Sequence, residues 1–183
     1  PAVGSNGEIY VTWAGPKGLA FQTSVDGGKT WLPKERIIQS QVGGWEFDIP
    51  GLNRANGLPV LLADNSNSSS RGALYLNWCD QRNGSDDTDV FIARSNDKGK
   101  TWTNIGLPDS HHISKIWINP KDNSEIVVGV LGHLYSKNEE RGVFKTTNGG
   151  KTWTKTLYIN DETGIVDISF APNNPNIMFA SSW

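Results

Sequence analysis

The chain has 183 residues, with 17 Lys plus Arg against 19 Asp plus Glu for a formal net charge of -2 and a pI near 5.9, and it contains no run of Lys or Arg. That balance gives no basic field for a nucleic-acid partner, and the longest apolar runs, such as Ile126 to Val130, fall far short of the ~20 residues of a membrane-spanning helix. The lone Cys79 excludes an intrachain disulfide and reads as a small buried hydrophobe in a strand.

Twenty Gly and eight Trp, with many Asn, Ser, Thr and Asp, describe short strands joined by tight turns. No long window keeps a 3.6-residue period, so the expected class is all-β. One turn is written three times: Ser24-Val25-Asp26-Gly27-Gly28-Lys29-Thr30-Trp31, Ser95-Asn96-Asp97-Lys98-Gly99-Lys100-Thr101-Trp102 and Thr146-Thr147-Asn148-Gly149-Gly150-Lys151-Thr152-Trp153. A repeated motif means a repeated supersecondary unit. Asp26, Asp97 and Asn148 can turn their side chains back onto amides of the turn, and Gly28, Gly99 and Gly150 can take a positive φ there. Trp31, Trp102 and Trp153 then return the chain to an apolar layer, each with an indole N–H for a nearby carbonyl. Such a turn closes a hairpin and leaves little polar chemistry for a substrate.

In chain order, the first four-stranded unit covers residues 1–38: Pro1 to Ser5, Glu8 to Ala14, Leu19 to Val25 and Thr30 to about Ile38. A connection from Gln39 to Gly57 follows, with turn signals at Gly43-Gly44, Pro50-Gly51 and Asn56-Gly57 around Trp45-Glu46-Phe47. The second unit, residues 58–105, reads as Leu58 to Ala63, Ala73 to Cys79, Val90 to Ser95 and Thr101 to Ile105. Two polar excursions interrupt it, a flexible loop at Asn65 to Arg71 and an acidic one at Asp80 to Asp89. The third unit, residues 113–159, reads as Ile113 to Asn119, Glu125 to Leu131, Gly142 to Thr147 and Thr152 to Ile159, with turns at Asn119-Pro120 and Lys121 to Ser124. Half of a fourth, residues 165–183, follows as Ile165 to Ala171 and Asn176 to Ser182 around Pro172 to Pro175. No secretory leader precedes Pro1, which reads as the start of a mature form or a cut piece.

The repeated turn resembles the Asp-box, or BNR repeat, of sialidases and sortilin-type proteins, although its third copy has Asn148 where that family usually has Asp. The resemblance implies a single β-propeller domain with the boxes at the outer rim of the blades, away from the axial ligand site. Residues 1–103, with GEIYVTWAG, LNWCDQRNG and DVFIARSNDKGKTW, resemble bacterial sialidase-like proteins. Residues 104–183, with GLPDSHHISKIWINP, GHLYSKNEERGVFKTTNGGKTW and APNNPNIMFASSW, resemble VPS10/sortilin-type propellers. The change right after the second box marks either a chimera of two propeller fragments or two divergent repeats of one natural protein. The resemblance further implies exported parents, extracellular or periplasmic.

Three and a half blades leave apolar faces and strand edges open. The expectation is closure as a small four-bladed ring or by self-association of copies, unless the chain is an excised part of a longer propeller. A sialidase-like activity would call for three Arg gripping a substrate carboxylate, a Tyr–Glu nucleophile and an Asp acid/base. The nearest wording to the first Arg motif is Phe47-Asp48-Ile49-Pro50, with an acid where the guanidinium belongs. Arg36, Arg54, Arg71, Arg82, Arg94 and Arg141 read as surface groups, and Tyr10, Tyr75, Tyr135 and Tyr158 as packing residues. No catalytic residue is therefore assigned, and the separation of a carboxylate pair is not a sequence quantity.

Asp80, Asp86, Asp87 and Asp89 form an oxygen-rich stretch whose reading is a solvated loop, with calcium at Asp86, Asp87 and Asp89 as the alternative. His111, His112 and His133 read as hydrogen-bonded loop residues, with a shared Zn²⁺ or Ni²⁺ as theirs. The leading functional expectation is a non-catalytic, engineered or fragment-derived propeller module that self-assembles. The competing ones are a glycan-binding or sialidase-like glycoside hydrolase module and a sortilin-like peptide-binding propeller.

Overall fold

A computed structural model describes residues 1–43, 47–49, 52–85, 87–107, 110–119, 121–133, 136–171 and 174–183. The chain forms two compact units, residues 1–106 and 107–183. Unit 1 contains β1 (Ala2–Val3), β2 (Ile9–Gly15), β3 (Gly18–Ser24), β4 (Arg36–Gln39), β5 (Phe47–Ile49), β6 (Leu52–Ala55), β7 (Val60–Ala63), β8 (Leu74–Gly84), β9 (Asp87–Ser95) and β10 (Thr103–Asn104). Unit 2 contains β11 (Ile113–Ile118), β12 (Ile126–Val130), β13 (Gly142–Thr146), β14 (Thr154–Leu157), β15 (Ile165–Ala171) and β16 (Asn174–Ser182). Three antiparallel meanders result, β1-β2-β3-β4, β7-β8-β9-β10 and β11-β12-β13-β14, together with the two-stranded sheets β5-β6 and β15-β16. The expected class is the one observed: all-β, built of four-stranded antiparallel blades.

Side chains alternate across each strand, and this decides which face is buried. In unit 1, Tyr10, Leu19 and Phe21 on the first blade meet Leu61, Leu74, Leu76, Trp78, Phe91 and Ala93 on the second, forming one core between the two sheets. Its aromatic spine is Tyr10 on Phe21 at 6.1 Å, Phe21 edge-on to Trp102 at 5.6 Å, and Trp78 on Phe91 at 5.7 Å. In unit 2 both faces of the third blade are covered. Val127 and Val143 pack against Ile165 and Ile168, while Val128, Val130 and Phe144 pack with Leu107, Ile113 and Trp153. This explains the unbroken apolar wording of Ile126 to Val130, since a strand buried on both sides has no polar face to alternate with.

The structure departs from the sequence reading in four places. The stretch from Asp80 to Asp89 is not an open loop: β8 and β9 run on through it, with Asp80 opposite Asp89 and Gly84 opposite Asp87. Asn65 to Arg71 is not a flexible loop but a turn wound around the Asp64 carboxylate, which accepts from the Ser66 amide at 2.8 Å and the Ser70 hydroxyl at 2.7 Å. Burial pulls the Asp64 carboxyl up, but the bonds from Ser66, Ser70 and Ser68 outweigh it and bring it down to about 2. The connection after residue 39 holds the β5–β6 hairpin, although Gly44 to Glu46, Pro50 and Gly51 lie outside the described residues. The last strand of the first blade begins at Arg36 rather than Thr30, because Thr30 is committed to the turn before it.

Candidate functional site

The three repeated turns share one hydrogen-bond scheme. In the first, Ser24 Oγ donates to Asp26 Oδ1 at 2.7 Å and accepts from the Gly28 amide at 2.8 Å. Thr30 then donates to the same carboxylate through its amide at 2.8 Å and its hydroxyl at 2.6 Å. The second turn repeats this with Ser95, Asp97, Gly99 and Thr101 at 2.8, 2.9, 2.8 and 2.6 Å. In the third, Thr146 Oγ1 donates to Asn148 Oδ1 at 2.9 Å and accepts from the Gly150 amide at 3.1 Å, and the Thr152 amide donates to Asn148 Oδ1 at 3.0 Å. There the last bond reverses: Asn148 Nδ2 donates to Thr152 Oγ1 at 2.7 Å. A hydroxyl both donates and accepts, so the Thr absorbs the change from carboxylate to amide.

The tryptophans differ more than the repeat suggests. Trp31 Nε1 donates to the Gly28 carbonyl at 3.1 Å, as expected of the motif. Trp102 instead turns edge-on to Phe21, and its buried Nε1 has no partner. Trp153 packs against the Val128–Phe144 face.

Hydrogen bonds from the Thr30 hydroxyl and amide hold the Asp26 carboxyl at about 2, below its ordinary 3.8. At Asp97 burial acts upward, but the bonds from Thr101 prevail and the carboxyl again falls to about 2. A carboxylate depressed in the folded state stabilises its turn above the unfolded value and loses that contribution as pH falls through the folded one. Acidification through about pH 2 is therefore expected to release the Thr30 and Thr101 amides, while the Thr152 amide, held by an uncharged Asn148, keeps its protection. Residue-resolved hydrogen exchange checks this, and equal loss at all three threonines would refute it.

The second turn is also a joint within unit 1. Lys98 Nζ reaches Glu8 Oε1 at 2.8 Å, and Arg36 Nη1 donates to the Gly99 carbonyl at 3.3 Å. Lys98 has a φ of 59°, where the other two turns carry Gly27 at 71° and Gly149 at 69°. A side chain at such a φ is strained, and here it gains an ion pair with a side chain only 6% exposed. The Lys98 ion pair brings the Glu8 carboxyl down to about 2. The lysine where its sister turns have glycine was visible in the sequence and was the one available signal for this joint.

At the end of the second blade opposite its box lies a cluster of charged side chains. Asp80 is fully buried, and its carboxylate accepts from the Arg82 amide at 2.8 Å, Arg82 Nη2 at 2.7 Å and the Val42 amide at 3.2 Å. The Arg82 guanidinium lies over the Phe91 ring at 4.6 Å. Asp89 is 2% exposed and accepts from Asn83 Nδ2 at 2.7 Å. Like charges directly opposite in a sheet repel, and Arg82 offsets this at Asp80. With these bonds made, Asp80 serves the hairpin rather than a substrate. Burial, with Asp89 nearby, pushes the Cys79 thiol up, away from the reactive thiolate form.

The remaining candidates sit apart. Asp86 and the side chain of Asp87 lie outside the described residues, and Asp89 is buried within the sheet. Among the described residues, no three His, Cys, Asp or Glu side chains come close enough to hold a metal. Tyr135, Pro50 and the side chains of Phe47, Asp48 and Arg54 also lie outside the described residues. Arg36, Arg71, Arg82 and Arg94 are engaged at separate places, Arg71 on the Asn65 and Ser66 carbonyls and Arg94 over the Tyr75 ring. Arg141 corrects the surface reading: it is 5% exposed and donates to the carbonyls of Leu131, His133, Ser136 and Asp161. His112 Nδ1 is paired with the Gly132 carbonyl at 3.1 Å, whereas the rings of His111 and His133 meet, with centroids 3.3 Å apart.

No protein-family model matches the chain, and no curated protein does. Among solved structures it is similar to the GH74 enzyme of Niastella koreensis, at 20% identity and a TM-score of 0.41 over 93% of this chain and 24% of that one. The GH74 xyloglucanase of Xanthomonas campestris matches at 16% identity and 0.41, over 94% of this chain and 24% of that one. A mutant α-L-arabinofuranosidase of Fusarium graminearum, solved with an iminosugar inhibitor, matches at 20% and 0.42, over 93% and 52%. The chain thus spans about a quarter of the length of the two GH74 enzymes, and the likeness is one of strand architecture alone.

Proposed function

We propose that the chain is a non-catalytic Asp-box β-propeller module completed by self-association of copies. The carrying observation is that all three boxes spend their hydroxyl, carboxylate and amide groups on their own turns. The face-to-face packing of two four-stranded blades in unit 1 supports the propeller reading. In unit 2, β16 pairs with β15 alone among the described strands and leaves Ile177 46% and Phe179 63% exposed. An uncapped apolar edge of this kind takes up another strand. The change of sequence resemblance near Asn104 lies close to the unit boundary at 106/107, which supports a junction of two propeller-derived fragments.

Light scattering on a size-exclusion column tests the reading. The expected mass is a discrete multiple of 20.1 kDa, without turnover of a fluorogenic sialoside. A single-chain mass would refute self-association. Turnover would transfer the chain to the sialidase-like glycoside hydrolases, and peptide binding without turnover to the sortilin-like propellers.

A further inference from the structure

We propose that the Met178 thioether is a reversible oxidation site that sets how firmly the β15–β16 hairpin is held in unit 2. Met178 is the one methionine of the chain. It lies on β16, which pairs with β15 alone among the described strands. Side chains alternate along β16: Ile177 and Phe179 are 46% and 63% exposed, whereas Met178 and Ala180 pack inward. Met178 itself is half-buried, so a small oxidant reaches a side chain that is also part of the packing. Ile165 and Ile168 of β15 are buried against Val127 and Val143, and Met178 packs at the margin of that cluster with Trp117 and Phe170. Phe170 is the ladder partner of Met178, and its ring stacks on Trp117 with centroids 3.8 Å apart.

A thioether suits this margin, because it is unbranched, polarisable and apolar enough to fill a gap among aliphatic and aromatic side chains. Its sulfoxide does not. Attack of the sulfur lone pair on hydrogen peroxide forms an S–O bond and breaks the O–O bond. The sulfur is oxidised by two electrons and the peroxide is reduced to water. The new oxygen is an acceptor that costs free energy in an apolar cluster, so the side chain turns out to solvent and its packing is lost. Ile165 and Ile168 stay behind as the remaining hold, which makes the change a loosening of one hairpin. Cys79, the other sulfur of the chain, does not compete, since burial, with Asp89 nearby, keeps its thiol protonated. The consequence for assembly rests on the reading that copies associate through β16: a loosened hairpin no longer presents an ordered edge to a second copy.

The test treats the chain with hydrogen peroxide at neutral pH, locates the added oxygen by peptide mass mapping, and follows residue-resolved hydrogen exchange. The expected result is one oxygen on Met178 and exchange of the β15 and β16 amides faster by roughly tenfold, with the amides of unit 1 unchanged. Methionine sulfoxide reductase should return the protection. Met178→Leu keeps the volume and is expected to hold its protection under the same peroxide. Reversal by the reductase is read on the unaltered chain, so the test stands even where the variant folds poorly. A Met178 that takes up no oxygen, unchanged exchange in the oxidised chain, or equal acceleration in peroxide-treated Met178→Leu would overturn the site. Light scattering on the same samples separates the two readings. Multimers are expected to dissociate on oxidation, and multimers that persist while the hairpin loosens would overturn the link to assembly. A single-chain mass before oxidation would instead refute self-association, with hydrogen exchange still deciding the site.

Discussion

Gly99→Ala is expected to destabilise unit 1 by about 2–5 kcal/mol, the sum of a strained backbone and an overfilled core. Gly99 has a φ of 77°, and a methyl group built on it would stand 2.3 Å from Phe21 Cζ. Phe21 is fully buried and wedged between Tyr10 and Trp102, so it has nowhere to retreat. Gly27 is the control: its φ is 71°, but no atom lies within 4 Å of an added Cβ. Gly27→Ala is therefore expected to carry the conformational cost alone, about 1–2 kcal/mol. Urea midpoints of the two variants, followed by tryptophan fluorescence, measure the difference. Placing Phe21→Leu in the Gly99→Ala background should return part of it. Equal midpoints for Gly99→Ala and Gly27→Ala would show that the second box is not clamped against the first blade.

Arg141→Met is expected to cost about 3 kcal/mol in unit 2. The substitution keeps the apolar stem but removes the donors to four backbone carbonyls, two of them at 2.9 Å (Asp161) and 3.0 Å (Ser136). The Asp161 carbonyl keeps the Asn138 amide, but the partly buried Leu131 and His133 carbonyls lose the guanidinium and part of their desolvation goes uncompensated, which is why the loss exceeds that of an ordinary surface bond. Arg141→Lys should fall between, since one ammonium cannot span the positions a planar guanidinium reaches. Thermal melting gives the magnitude. Hydrogen exchange at Asn138, whose amide donates to the Asp161 carbonyl at 2.9 Å, reports whether the loop has loosened. A variant as stable as the parent would mean that water replaces the guanidinium at no cost.

The parts of this fold that were legible in the sequence are those whose causes lie close together along the chain. Each box closes within seven positions, from Ser24 to Trp31 or Ser95 to Trp102, so its residue types could be read directly as a turn. The blades followed, because an apolar run preceded every box: Leu19 to Phe21, Val90 to Ala93, and Val143 with Phe144. Asp80 to Asp89 misled because composition reports polarity and not pairing: Asp80 is neutralised by Arg82 two positions on, which lets an acidic stretch remain in a ladder. Arg141 was illegible for another reason. Its acceptors are backbone carbonyls up to twenty positions away, and a carbonyl has no residue type to announce it. The approach of His111 to His133 likewise depends on how two loops are tied, a property of the tertiary structure that spacing does not encode.

The clasp of the second box on the first blade also sets an order of assembly. Boxes one and three close through bonds between residues at most four apart, so they form as soon as their hairpins do. The contacts of box two with the first blade join residues 63 and 90 apart, Arg36 with Gly99 and Glu8 with Lys98. Closing such long loops is slow relative to local turns. During synthesis the apolar face of the first blade, Tyr10, Leu19 and Phe21, thus stays bare until the second-blade residues that cover it, Leu61 to Ala93, have been made. For that interval the nascent chain exposes a sheet with no cover, and the second box closes over its edge only afterwards, with Gly99 and Trp102 against Phe21.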